Sequence, residues 1–174
     1  MSPAKRIATA AVTAVLLAGT PGLAMAATPQ TTLPSQQTET WYQLRVWPLA
    51  RESARNLDVD SNGKAITATP RSNDDRQQWN LSDTTGKQLI KNKATGTCLT
   101  APGGDLNGSV TLKACDKNDV NQQWTVRSVE GGKVEILPSA NHDLALTGGL
   151  SGEVRVWYED GSRAQGWSTV PPGS

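Results

Sequence analysis

The 174-residue chain carries 17 Lys+Arg against 16 Asp+Glu, so its formal charge of +1 gives no electrostatic handle for nucleic acid or an anionic membrane surface. Phe is absent and Trp occurs six times, so Trp, Leu, Val and Ile must fill any core. With one histidine and two cysteines the chain shows no metal-ligand spacing, and neither metal nor cofactor is expected.

At the amino terminus, Lys5 and Arg6 precede an apolar run from Ile7 to Ala18, and Ala24-Met25-Ala26 supplies the small residues of a cleavage site. This is the pattern of a secretory signal over residues 1–26, too short for a stable membrane span. Export is expected, with cleavage after Ala26. Losing Lys5 and Arg6 leaves 15 basic against 16 acidic residues, and the 148 residues that remain suit one domain burying about two-thirds of its unfolded surface. In an oxidising compartment Cys98 and Cys115, 17 apart, are expected to form a disulfide, with two free thiols as the alternative. Such a loop contributes about 3 kcal/mol in the chain-entropy picture.

Residues 27–40 are rich in Thr, Gln, Pro and Ser, with Leu33 the one large apolar side chain, and read as a flexible leader. From Trp41 onward no helical-length window holds an apolar stripe. Short alternations recur instead at Leu44 and Val46, Leu57 and Val59, Val110 and Leu112, Val134 and Ile136, and Val154 and Val156, separated by Gly, Asn, Asp and Pro. An all-β fold of short strands follows, with no helix of consequence.

Gln77-Gln78-Trp79, Gln122-Gln123-Trp124 and Gln165-Gly166-Trp167 repeat the pattern Q-x-W at spacings of 45 and 43. Counting back from each Trp aligns Ile66, Val110 and Val154, and Gly86 and Gly132 each stand 12 before Cys98 and Leu144. Three copies result, near 41–82, 83–127 and 128–170, followed by a tail at 171–174. One copy cannot bury its own apolar face, whereas three about a common axis can. Trp79, Trp124 and Trp167 are expected in the core, with the Gln two before each on the same strand face.

These residues resemble the ricin B-type lectins, whose fold is the β-trefoil, a six-stranded barrel capped by three hairpins. The likeness runs from Trp41 to Val170 and is strongest where Gly96-Thr97-Cys98-Leu99 resembles the family's G-x-C-L, with Cys115 at the partner half-cystine. It implies up to three shallow sites for galactose- or xylose-type sugars. In each, an Asp accepts hydroxyl bonds, an aromatic stacks on the ring, and an Asn or Gln near Q-x-W adds donors.

No repeat keeps the full set. The first has Asp58 and Gln77, but Thr69 at the aromatic position and Arg76 at the Asn position. The second has Asn121 and Gln122, but Thr100 for the Asp and Lys113 for the aromatic. The third has Trp157, Tyr158 beside it and Gln165, but Leu146 for the Asp and Ala164 for the Asn; nearby Asp143 or Glu159 is the substitute acceptor. Asp58, Gln77, Trp157 and Gln165 are therefore the candidate carbohydrate contacts.

Asp58-x-Asp60-x-Asn62-Gly63 begins like a calcium loop, but Thr69 stands where the bidentate Glu belongs and no helix flanks the run, so calcium is not expected; turn chemistry is the alternative to a ligand role for Asp58. No nucleophile elbow, zinc motif or phosphate loop occurs, and no enzyme is expected. The expected partner of this monomer is a glycan or polysaccharide. The rival reading is a sugar-silent scaffold for a partner protein, such as a subunit of a secreted toxin or inhibitor.

Overall fold

The alternating apolar residues become short antiparallel strands that share one core. The computed structural model describes residues 39–47, 53–81, 85–149 and 151–174. The expected signal peptide and residues 27–38 of the expected leader lie outside them.

The strands in chain order are β1 (Trp41–Val46), β2 (Arg55–Val59), β3 (Ala65–Ala68), β4 (Trp79–Leu81), β5 (Gly86–Gln88), β6 (Ile90–Asn92) and β7 (Cys98–Thr100). They continue as β8 (Thr111–Lys113), β9 (Trp124–Val129), β10 (Lys133–Pro138), β11 (Leu144–Gly148), β12 (Val154–Tyr158) and β13 (Ser168–Val170). Helical structure among the described residues is confined to the single 3₁₀ turns Asp75–Gln77, Val120–Gln122 and Glu130–Gly132.

Each Q-x-W Trp pairs backward and forward. Within its own repeat, Trp79 faces Tyr42, Trp124 faces Gln88, and Trp167 bridges Val134. Toward the next repeat, Trp79 faces Asn92 and Trp124 faces Pro138, while β13 returns to β1 with Ser168 opposite Arg45. The six barrel strands, β1, β4, β5 with β6, β9, β10 and β13, thereby close on themselves and leave no free edge.

The hairpins β2–β3, β7–β8 and β11–β12 cap the barrel. They meet where Ala65 N donates to Val110 O at 3.0 Å and Val110 N to Val154 O at 3.2 Å. All three of these residues are buried. Ala65 rather than Ile66 is thus the counterpart of Val110 and Val154, because the inward-facing side chain at the axis decides the register. The architecture is a β-trefoil.

Trp79, Trp124 and Trp167 are fully buried. Their indole Nε1 atoms donate to the carbonyls of Leu57, Leu99 and Leu146 at 3.1, 2.9 and 3.0 Å, so every Trp ties a barrel strand to the hairpin above it. Close fit has a price in side-chain size at Gly148, where an added Cβ would lie 2.9 Å from Val46 Cγ1 and 3.1 Å from the Trp167 ring.

The motif Gln does not lie on the strand face of its Trp. Gln77 and Gln122 end 3₁₀ turns and Gln165 ends a turn, each curling its amide back into the preceding loop. Gln122 Oε1 accepts from Asp116 N at 2.8 Å and its Nε2 donates to Ala114 O at 2.9 Å. Gln77 does the same with Arg71 N and Thr69 O, and Gln165 with Asp160 N and Tyr158 O. A long loop between hairpin and barrel exposes backbone groups that need partners, and one buried amide satisfies two of them.

Cys98 and Cys115 are joined by a disulfide that spans the β7–β8 hairpin. Replacing both by Ser is expected to lower stability by about 3 kcal/mol. The midpoint of urea unfolding under non-reducing conditions checks this; an unchanged midpoint contradicts it.

Candidate functional site

The indole bond from each Trp also positions the residue that follows the accepting leucine. Those residues are Asp58, Thr100 and Thr147, so Thr147 and not Leu146 holds the acceptor position of the third repeat. Leu146 itself is buried in the core. The pairing of Leu57 with Thr67, Leu99 with Leu112 and Leu146 with Val156 then places Ala68, Lys113 and Trp157 in equivalent positions, with Ala68 in place of the expected Thr69.

In the first repeat the structure brings Asp58 and Gln77 together, with Gln77 Nε2 donating to Asp58 Oδ2 at 2.9 Å. Both are buried. Asp58 Oδ2 also accepts from Arg71 Nη2 at 2.8 Å, Oδ1 accepts from Val59 N at 2.7 Å, and Arg76 Nε lies 3.7 Å away. Arg71 is held from its other side by Asp74 at 2.7 Å, and Arg76 donates to Val59 O. Gln77 uses its remaining bonds on Asn56, Arg71 N and Thr69 O. The acceptor pair expected for a sugar therefore lies beneath two half-exposed guanidinium groups.

Arg71 was not among the candidate residues, although a signal for it exists. Gln77 bonds the backbone N–H of Arg71, whereas Gln122 and Gln165 bond those of Asp116 and Asp160. Those aspartates cap their own turns, accepting from Asn118 N at 2.9 Å and Ser162 N at 2.8 Å. The repeat with Asp at the acceptor position has Arg in the loop, and the repeats with Thr have Asp in the loop.

The second repeat is closed in a different way. Thr100 is buried and its hydroxyl donates to Cys98 O at 3.1 Å. Thr147 repeats this bond to Ala145 O at 3.0 Å and accepts from Gln165 Nε2 at 3.2 Å.

The third repeat presents an open face. Val154 and Val156 point into the core, so Trp157 on the alternate face is 38% exposed, and Tyr158 at the end of the strand is 56% exposed. The rings meet edge to face with centroids 6.1 Å apart and planes at 73°. Ala145 lies directly across from Trp157, and so small a partner leaves the indole uncovered. Gln165 is buried beneath and fixes Tyr158 by a 2.6 Å bond to its carbonyl.

Of the two substitute acceptors, Glu159 lies 3.4 Å from Arg127, which also binds the buried Glu135. That hydrogen bond to Glu135 is the main reason the Arg127 pKa is raised. Asp143 is exposed, and its carboxylate has no partner among the described residues. It stands two residues before Ala145.

The remaining acidic motif resolves into turn chemistry. Asp60 Oδ1 accepts from Asn62 N and Lys64 N, both at 2.8 Å, and closes the β2–β3 turn, while Asp58 faces Arg71 and Gln77. Among the described residues no group of three or more His, Cys, Asp or Glu converges as for a metal ion, and no helix is long and apolar enough to cross a membrane.

Residues 49–167 match the ricin-type β-trefoil lectin domain family. Among solved structures, the designed threefold-symmetric protein ThreeFoil superposes with a TM-score of 0.63 at 22% identity, over 75% of this chain and 97% of its own. A Polyporus squamosus lectin bound to the human-type influenza-binding epitope Neu5Acα2-6Galβ1-4GlcNAc gives 0.60 at 16% identity, over 78% of this chain and 50% of the lectin. The hemolytic lectin CEL-III gives 0.59 at 22% identity, over 74% of this chain and 29% of that protein. Identities this low establish the fold alone. No curated protein matches the sequence significantly. With the family match spanning the three Q-x-W motifs and the closed barrel they tie together, this chain belongs to the ricin-type β-trefoil lectin domain family.

Proposed function

We propose that the chain is a secreted, non-catalytic glycan-binding module that holds galactose- or xylose-type sugars weakly through its third repeat. The observation that carries this is the pair Trp157 and Tyr158, the exposed aromatic residues among the described ones. A flat ring displaces water from the C–H face of a sugar. Of the two substitute acceptors, Asp143 is the one whose carboxylate has no partner among the described residues, and Gln165 acts from below by holding the Tyr158 backbone.

Asp58 and Gln77 have a different part in this reading. Their bonds are taken by Arg71, Val59, Asn56 and each other, so they hold the first repeat closed. Export rests on the amino-terminal pattern of Lys5, Arg6, the apolar run and Ala24-Met25-Ala26.

A protein-interaction scaffold is the second reading, favoured by the internal engagement of Asp58, Thr100 and Thr147 alike. Co-purification of a stoichiometric partner, with no glycan retarding the chain, would decide for it.

A millimolar sugar site is worth about 4 kcal/mol, so losing one good contact of about 1.4 kcal/mol weakens it about tenfold. Trp157→Ala is expected to lose most retardation in affinity gels cast with galactan or xylan while its circular dichroism stays that of the parent. Asp58→Asn is expected to leave retardation intact and to cost about 2 kcal/mol of stability, because a charge-assisted bond contributes about 1.5–3 kcal/mol. Retardation lost in Asp58→Asn and kept in Trp157→Ala would reverse the assignment. Amino-terminal sequencing of the chain from the medium of a secreting host is expected to begin at Ala27; retention in the cells speaks against export.

A further inference from the structure

A cleft of about 530 Å³ opens beside the start of β1, on neither of the surfaces just described. Its walls include Trp41 and Pro172, and its polar lining includes Asn73, Asp75, Gln78 and Lys93. Clefts that hold small molecules run from about 300 to 1,000 Å³. The two ends of the domain build it. Thr40 O accepts from Asn80 Nδ2 at 2.9 Å, so the last residues of the expected leader are tied to β4. At the other end, Gly173 lies near enough that a Cβ added to it would stand 3.3 Å from Asn73 Oδ1.

The pseudo-threefold axis makes this cleft informative. The pairs Tyr42–Trp79, Gln88–Trp124 and Val134–Trp167 put Trp41, Lys87 and Lys133 at one equivalent position, and each lines a cleft together with the middle residue of its Q-x-W motif, Gln78, Gln123 and Gly166. Smaller clefts of about 270 and 290 Å³ occur at the other two copies, lined by Lys87, Lys117 and Gln123 and by Lys133, Arg163 and Gly166. An aromatic residue occupies this position in the first repeat alone.

Three of its polar residues hold one another. Lys93 Nζ lies 2.8 Å from Asp75 Oδ1 and donates to Gln78 Oε1 at 3.1 Å, and Gln78 Nε2 donates to the same Asp75 oxygen at 3.2 Å. Asp75 Oδ2 and the Asn73 amide have no hydrogen bond among the described residues. Charge is balanced, because Asp75 is paired with Lys93 and Glu39 with Lys91 at 3.2 Å. Among the described residues that line the cleft, no cation is left uncompensated to await an anion.

We infer that this cleft is a second saccharide site, distinct from the hairpin sites, which takes a neutral pyranose ring. The C–H face of the ring lies against Trp41 and Pro172, and its hydroxyls donate to Asp75 Oδ2 and bond the Asn73 amide. The inference rests on the reading of the chain as a glycan-binding module and adds a site to it.

The six indole N–H resonances of the ¹⁵N-labelled full-length chain separate the two. Trp41 and Trp157 are assigned from Trp41→Phe and Trp157→Phe, and the protein is titrated with galactose, xylose and xylotriose into the millimolar range. The Trp41 signal is expected to shift saturably with one of these sugars. In Asp75→Asn the affinity read at Trp41 is expected to fall about tenfold, with the Trp157 response unchanged. The buried Trp79, Trp124 and Trp167 signals report that each variant is folded. A static Trp41 signal beside a moving Trp157 overturns the second site and leaves the module reading intact. If both stay static, both readings fall. A Trp41 response that is the same in Asp75→Asn overturns the chemistry assigned to the cleft.

Discussion

Everything above the barrel depends on one bond made three times, from a buried indole N–H to the carbonyl of a hairpin leucine. A Trp without that acceptor would bury an unsatisfied donor, at a cost of about 1–3 kcal/mol. A smaller residue would leave a cavity, and Trp→Ala substitutions cost about 3–5 kcal/mol. The bond also fixes each hairpin strand at the carbonyl adjoining the acceptor position. Asp58, Thr100 and Thr147 are placed by the core, and the pocket geometry follows from packing before any ligand is considered.

Given a common frame, the three copies differ by charge logic. A carboxylate as buried as Asp58 is costly unless paired, and Arg71 and Gln77 provide the partners within the chain. Where Thr stands instead, no charge has to be answered. The hydroxyl turns back to the carbonyl two residues earlier, and the loop position is free to be Asp116 or Asp160, each capping its own turn. The third copy then differs by carrying an outward Trp157 that the small Ala145 across from it leaves uncovered.

The barrel was legible in the sequence because buried Trp at even spacing and period-two strands are repeated signals, and the Cys98–Cys115 bridge was legible from the cysteine count and the expected oxidising compartment. The acceptor position in the third copy was not. Gln88 to Cys98 spans one residue fewer than Val134 to Ala145, and a slip of one residue on a strand exchanges its faces, so counting from Gly132 lands on Leu146. The motif Gln was misplaced for a related reason, since a 3₁₀ turn intervenes before the strand and no apolar period marks three residues. The Arg71–Asp58 pair joins a loop to a strand and leaves no periodic trace. It becomes visible only when loop residues are compared across the three copies.

The fold thus separates what must be constant from what is free. Gln and Trp of each motif face inward and are fully used, while the residue between them and the residue just before the one paired with the Trp adjoin the surface clefts. Chemistry can vary there without disturbing the core, as Trp41, Lys87 and Lys133 illustrate. Incomplete sites on such a frame need not be idle. A contact surface of millimolar strength holds a single sugar poorly, but two on one rigid body engage a polymer with avidity about 10²–10⁴ beyond either alone. On the proposal of two weak and unequal saccharide sites, a polysaccharide is the ligand this scaffold is physically suited to retain.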